Sequence, residues 1–337
     1  MTMCSVIGIP TAERPTSLEA MNATAPVDYL RARPRAVKAI QLVLLIATLG
    51  FCVWAVRNEW SKAVPLIENA SIEYLALSFA VVAAYYLVFI LGWIRMLEGW
   101  GINVPYHVAL QSEMVSMLAK YLPGGVWTPA ARALALRRYG GITDTPTVLA
   151  SILVEAGLSA ISGVIVFVVS LAWVRDVHAP LLPLIGFALL LTLLLHPRVF
   201  RPLSNTLLKP FGARNIEPLP FPLTVGLLLF YCGTWLIGGF AVYFMLRALG
   251  SEVGLSTIPF LGGVSAVGAI VSVLAVFVPS GLGAREASMY GLLLAVTDKA
   301  AALGVTLVNR LAITLIEVLL FGIGLVSWRL LNRRRVE

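Results

Sequence analysis

Two proline-glycine interruptions lie inside apolar sequence of membrane length, and each has an arginine close behind it. The first is KYLPGGVWTPAAR, residues 120–132; the second is FVPSGLGARE, residues 277–286. Proline removes a backbone donor and clashes with the preceding turn, so a helix ends at Tyr121-Leu122, before Pro123. Gly124 and Gly125 permit positive φ and close backbone approach. Thr128-Pro129 reads as N-cap and first residue of a new helix reaching about Arg138, and Gly140-Gly141 ends it. The second interruption repeats this logic with Pro279, Ser280 as cap, Gly281, Gly283, and Arg285 beside Glu286. A helix that restarts this way offers free N–H groups and the positive end of its dipole, which suits phosphate. Arg132 and Arg285 would add bidentate donors. The plainer alternative is two kinked helices whose glycines serve packing and whose arginines sit at the interface.

Three further charges sit deep in apolar sequence. Glu155 lies inside the charge-free run 145–174; Arg310 and Glu317 lie in the last run, seven apart and so two turns apart on one helical face. At that depth a charge costs several kcal/mol unless it is paired or hydrated. Glu155 and Arg310 either line a polar path and clamp a head group or form a structural pair, with Glu317 compensating Arg310. Glu113, Ser116 and Lys120 recur at helical spacing ahead of the first interruption. Lys120 either contacts substrate or snorkels to the interface. Trp127 is an interfacial anchor or packs beside the break, and Gly262, Gly263 and Gly268 read as packing positions.

These residues need membrane helices to position them. The chain has 337 residues, of which 59% are hydrophobic and 12% charged, and its mean hydropathy is +0.90. This composition belongs to a polytopic membrane protein. The net charge of +8 does not point to nucleic acid, because the positive residues gather at helix ends. Cys4, Cys52 and Cys232 form no CxxC, and His107, His178 and His196 have no metal-ligand spacing. No cofactor or metal is expected.

Residues 1–36 are polar, aperiodic and read as a disordered tail. Spans follow at 39–56, 74–94, 145–174, 179–195, within 218–246, within 253–284, and at 300–328, each near the ~20 residues that cross ~30 Å. Loop charges place 120–144, 196–217 and both termini, including the basic tail 331–337, in the cytoplasm, and 57–73 outside. The expected fold is an all-α polytopic membrane protein with about 6 full spans and two broken, re-entrant hairpins. One transmembrane domain covers 37–330, with repeat halves at about 72–174 and 222–328 in opposite orientation. If the stretches 258–278 and 285–297 each cross fully, the count becomes eight; loop parity does not separate the two.

With these motifs in view, the chain resembles the transmembrane, flippase region of lysylphosphatidylglycerol synthetase, the multiple peptide resistance factor. The KYLPGGVW box with Arg132, the intramembrane Glu155, the PSGLGARE box and Arg310 carry the resemblance, which spans roughly 40–328. One departure is Ala156, where relatives commonly place arginine after the glutamate. The resemblance implies binding and transbilayer movement of lipids with anionic or aminoacylated head groups in the cytoplasmic membrane. The bifunctional relatives carry an aminoacyl-transferase domain; this chain ends at Glu337 without one, so aminoacyl transfer by it alone is not expected. No P-loop is present, so a gradient or the lipid's own concentration difference would supply energy, with Glu155 as candidate proton carrier. A separate lipid-modifying enzyme and a homodimer are compatible partners. Two alternatives stand beside the flippase: a polyprenyl-phosphate-linked glycosyltransferase, for which no paired carboxylate motif exists, and a non-transporting membrane subunit of such an enzyme.

Overall fold

The computed structural model describes residues 64–120, 127–174, 177, 181–213, 215–275, 278 and 281–333. The expected tail, the span 39–56, and the interruption residues Gly124, Gly125 and Ser280 lie outside them.

Ten α-helices follow one another: α1 (Ile72–Gly99), α2 (Tyr106–Ala119), α3 (Trp127–Gly140), α4 (Thr145–Ser170), α5 (Leu181–Leu195), α6 (Pro197–Leu207), α7 (Phe221–Ala248), α8 (Ile258–Leu274), α9 (Ala284–Leu293) and α10 (Lys299–Arg333). Local chemistry sets several boundaries. Asp144 caps α4 by accepting the N–H of Thr147 at 3.3 Å, with Pro146 in the first turn where no N–H is needed. Gly141, at φ +68°, lets the chain leave α3. That helix begins at Trp127, so Thr128 lies inside its first turn rather than capping it. The start of α9 at Ala284, after Gly283 at φ +83°, likewise removes Ser280 from the capping position.

Among the described residues, α1, α4, α7, the stretch Leu255–Leu274 and Lys299–Val326 are long and apolar enough to cross a membrane. The chain is therefore all-α and multi-pass. Leu181–Leu195 and Pro197–Leu207 meet at 77°, and α6 buries Phe200 and Ser204 while exposing Arg198 and Arg201. The segment after residue 196, expected as a polar loop, thus begins with an amphipathic helix sharply bent from α5.

Helix lengths also bear on the hairpins. Each arm of α2–α3 has 14 residues. At 1.5 Å per residue that is about 21 Å, short of the ~30 Å a bilayer core requires. With its 10 residues, α9 reaches about 15 Å, again shorter than the bilayer core.

The two halves are related by inversion, as side-chain and backbone contacts show. The start of α1 meets the end of α7 through Ser71 N–H to Ala248 C=O (2.9 Å), and its end meets the start of α7 through Trp100 Nε1 to Glu217 C=O (2.7 Å). These helices are antiparallel. By contrast α4 runs parallel to α7, since Glu155 faces Tyr231 and Ser159 faces Trp235. In the other half α10 runs parallel to α1, with Gly304 near Ile67 and Glu317 on Tyr86. Helices α4 and α10, the last of each half, are therefore opposed. The first arm of each hairpin also reaches across the halves: α8 packs on α4 as well as on α7, and α2 packs on α10. Gly239 and Gly262 permit the close approach of α7 and α8, because a Cβ would stand 2.3 Å from the Ile258 carbonyl oxygen at the first and 2.5 Å from that of Trp235 at the second.

Candidate functional site

The two hairpins, together with α4 and α10, bring charged side chains from five helices into the interior. On α2, Glu113 and Lys120 lie two turns apart on one face. Arg132, in the second turn of α3, is 3% exposed and forms ion pairs with both Glu113 of α2 and Glu155 of α4. The ring of Trp93 on α1 lies under this guanidinium, 4.4 Å from ring centroid to Cζ, and its indole N–H is donated to Ser151 Oγ at 2.9 Å. The Tyr231 hydroxyl donates to Glu155 at 3.4 Å. Apart from the ion contact, neither Glu113 oxygen has a hydrogen-bond partner among the described residues. Nearby Ser116 donates to its own helix, at the Glu113 carbonyl (2.7 Å), and is satisfied there.

A second cluster surrounds Glu317. This fully buried carboxylate on α10 accepts from Lys120 Nζ and from the Tyr86 hydroxyl of α1. On the same helix Arg310 faces Glu286 of α9 at 3.4 Å, and the other Glu286 oxygen accepts the Gly283 N–H at 2.7 Å. Arg285 makes no ion pair among the described residues, yet its charge and that of Arg310 both bear on Lys120. Tyr85 joins the clusters: its ring contacts Tyr86 and Trp235, and the charges of Glu155 and Arg285 both act on it.

The electrostatics divide unevenly. Glu113, Arg132 and Glu155 sum to one negative charge when all are ionised; Lys120, Arg285, Arg310, Glu286 and Glu317 sum to one positive charge. Together they cancel, which is how eight charges coexist in an apolar interior. Buried ion pairs contribute little net stability, because desolvation offsets attraction; removing one member is the costly event.

Several expectations change on this geometry. Arg132 is not open to an anion, because two carboxylates already hold it. Glu155 and Arg310 do not pair with each other, and Glu317 compensates Lys120 rather than Arg310. Lys120 does not snorkel to an interface; it points at Glu317. Gly281 and Gly283 take positive φ, +60° and +83°, and both are buried, so their backbone serves the turn into α9. Glu286 is a partner of that turn as well as of Arg310. Gly268 and Gly263 serve packing, against Met289 and Phe167. Sequence reasoning missed Trp93, Tyr86 and Tyr231, whose ring types in apolar helices look like ordinary core residues. For Glu113 the signal was its shared face with Lys120.

A groove of about 770 Å³ lies beside this interior, between α1 and α7. Leu91, Gly92, Leu223, Gly226, Leu227 and Phe230 line it together with Arg95 and Glu98. Among the described residues no three His, Cys, Asp or Glu side chains are placed to hold a metal ion.

No curated protein matches the chain. The family described as lysylphosphatidylglycerol synthase TM region matches residues 39–322. That match takes in both halves, both hairpins and every member of the charged clusters, and the chain belongs to this family of membrane proteins.

Proposed function

We propose that this protein is a lipid transporter that moves phospholipids or other lipids with charged head groups across the cytoplasmic membrane. The observation that carries the reading is the buried set of charges between two inverted halves. Ionisable groups at membrane depth are costly and mark substrate or ion pathways, and inverted repeats with broken helices bind substrate where the repeats meet.

The lipid phosphate would sit among Lys120, Arg285 and Arg310, the cluster with surplus positive charge. Arg285, without a carboxylate of its own among the described residues, is its best single contact. The start of α9 lies beside Arg285 and can add backbone N–H donors from its first turn. The groove between α1 and α7 offers apolar walls to an acyl chain, while the head group crosses through the interior. Loop charges put both termini in the cytoplasm, and rocking of one half against the other would expose the site alternately.

The test is translocation of labelled anionic, zwitterionic and aminoacylated lipids in proteoliposomes, with Arg285→Ala and Arg310→Ala beside wild type. Transport by wild type that both substitutions reduce at least tenfold supports the reading. Transport no faster than in protein-free liposomes for every lipid removes it, and turns attention to a partner enzyme sought by pull-down.

A further inference from the structure

The uneven division of charge carries a consequence for energy coupling. Empty, the interior is balanced: one negative charge in the Glu113–Arg132–Glu155 triad against one positive charge around Lys120. A phosphodiester bound at the positive cluster adds one negative charge and breaks that balance. Water screens the triad poorly, because Glu113, Arg132 and Glu155 are 1%, 3% and 4% exposed. The direct way to restore neutrality is one proton on a carboxylate of the triad.

We infer that Glu113 takes up one proton with each anionic lipid bound, so that lipid and proton occupy the interior together. The inference rests on the placement of the lipid phosphate proposed above, though not on its movement across the bilayer. Glu113 is the acceptor because of what faces each carboxylate. Glu155 receives both the Arg132 guanidinium and the Tyr231 hydroxyl, two donors. Glu317 receives Lys120 and Tyr86. Glu113 receives only Arg132, and its oxygens have no hydrogen-bond partner among the described residues. Among the described residues the charged group in contact with Glu113 is Arg132 from α3, which in turn holds Glu155 from α4 and lies over Trp93 from α1; Lys120 on its own helix is turned to Glu317 of α10 and, through it, Tyr86 of α1. The step is a simple transfer. A proton leaves water and bonds to a Glu113 carboxylate oxygen; it departs when the lipid departs, and nothing is oxidised or reduced. Coupling is reciprocal: lipid raises proton affinity, and protonation raises lipid affinity.

The experiment uses the full chain in detergent with a pH-indicating dye and little buffer. Phosphatidylglycerol is added in one arm and phosphatidylcholine, whose head group carries no net charge, in the other. We expect uptake of about one proton per bound phosphatidylglycerol and none with phosphatidylcholine, the signature of linkage through charge. In Glu113→Gln the ratio of protons to bound lipid falls to zero. Binding of phosphatidylglycerol without proton uptake overturns the inference, as does equal uptake with both lipids or an unchanged ratio in Glu113→Gln. If that variant does not fold, infrared spectra of wild type decide: phosphatidylglycerol increases the carbonyl stretch of a protonated carboxyl, and a constant band refutes it. The two ideas fail separately. Proton uptake without translocation in liposomes keeps the proton site and sinks the transporter; translocation without proton uptake does the reverse.

Discussion

Arg132→Met tests the triad most directly. Arg132 is nearly fully buried between Glu113 and Glu155, and methionine fills similar volume without charge. Its loss leaves two carboxylates in an apolar interior, one of which retains the Tyr231 hydroxyl. Removing one partner of a buried pair costs about 3–5 kcal/mol, and the lost contact with Trp93 adds about 0.5–2 kcal/mol. For a chain longer than 250 residues, ~2 °C of melting temperature accompanies each kcal/mol, so the midpoint should fall by roughly 7–14 °C. The triple variant Glu113→Gln/Arg132→Met/Glu155→Gln leaves no orphaned charge and should recover most of that loss, because the cost lies in the unpaired carboxylates rather than in a missing attraction. The assay is thermal unfolding in one detergent at pH 7, followed by near-UV circular dichroism. A midpoint for Arg132→Met within about 2 °C of wild type, equivalent to ~1 kcal/mol, would refute the reasoning, since the carboxylates would then be hydrated. A triple variant as unstable as the single would show that geometry rather than charge is what Arg132 supplies.

Other predictions follow from neighbouring contacts. Lys120→Met removes the cation paired with buried Glu317 and should destabilise by about 3–5 kcal/mol, with Lys120→Met/Glu317→Gln recovering most of it; thermal melts that show the double no better than the single contradict the pairing. Tyr86→Phe removes one donor from the same carboxylate and should cost about 1–3 kcal/mol, read from the same melts; no change means Lys120 alone satisfies Glu317. Gly262→Val drives a side chain into the Trp235 carbonyl and should lower stability by about 1–3 kcal/mol or more. A wild-type melting temperature in that variant would mean that α7 and α8 are not in close contact.

The membrane class and the all-α, multi-pass fold were legible in the residues, and for a physical reason. Length and apolarity of a run decide whether it suits a bilayer, and Pro-Gly pairs act on the turn in which they stand. Both are local properties, so the ends of α3 and α9 moved by only a few residues from where the interruptions placed them. Which charges meet was not local. Glu155 could have paired with Arg310, and Glu317 with Arg310, on sequence distance and burial alone. The fold instead sets Arg132 between Glu113 and Glu155 within the first half, and packs α2 on α10, which brings Lys120 to Glu317. Trp93, Tyr86 and Tyr231 gave no signal, because an aromatic ring in an apolar helix becomes a polar partner only when another helix brings it a charge. The sequence alone thus determined that charges would be buried in a membrane and where the helices would break. The tertiary structure alone decided their partners, and with them the split into one negative and one positive cluster, because that split depends on which helices pack together.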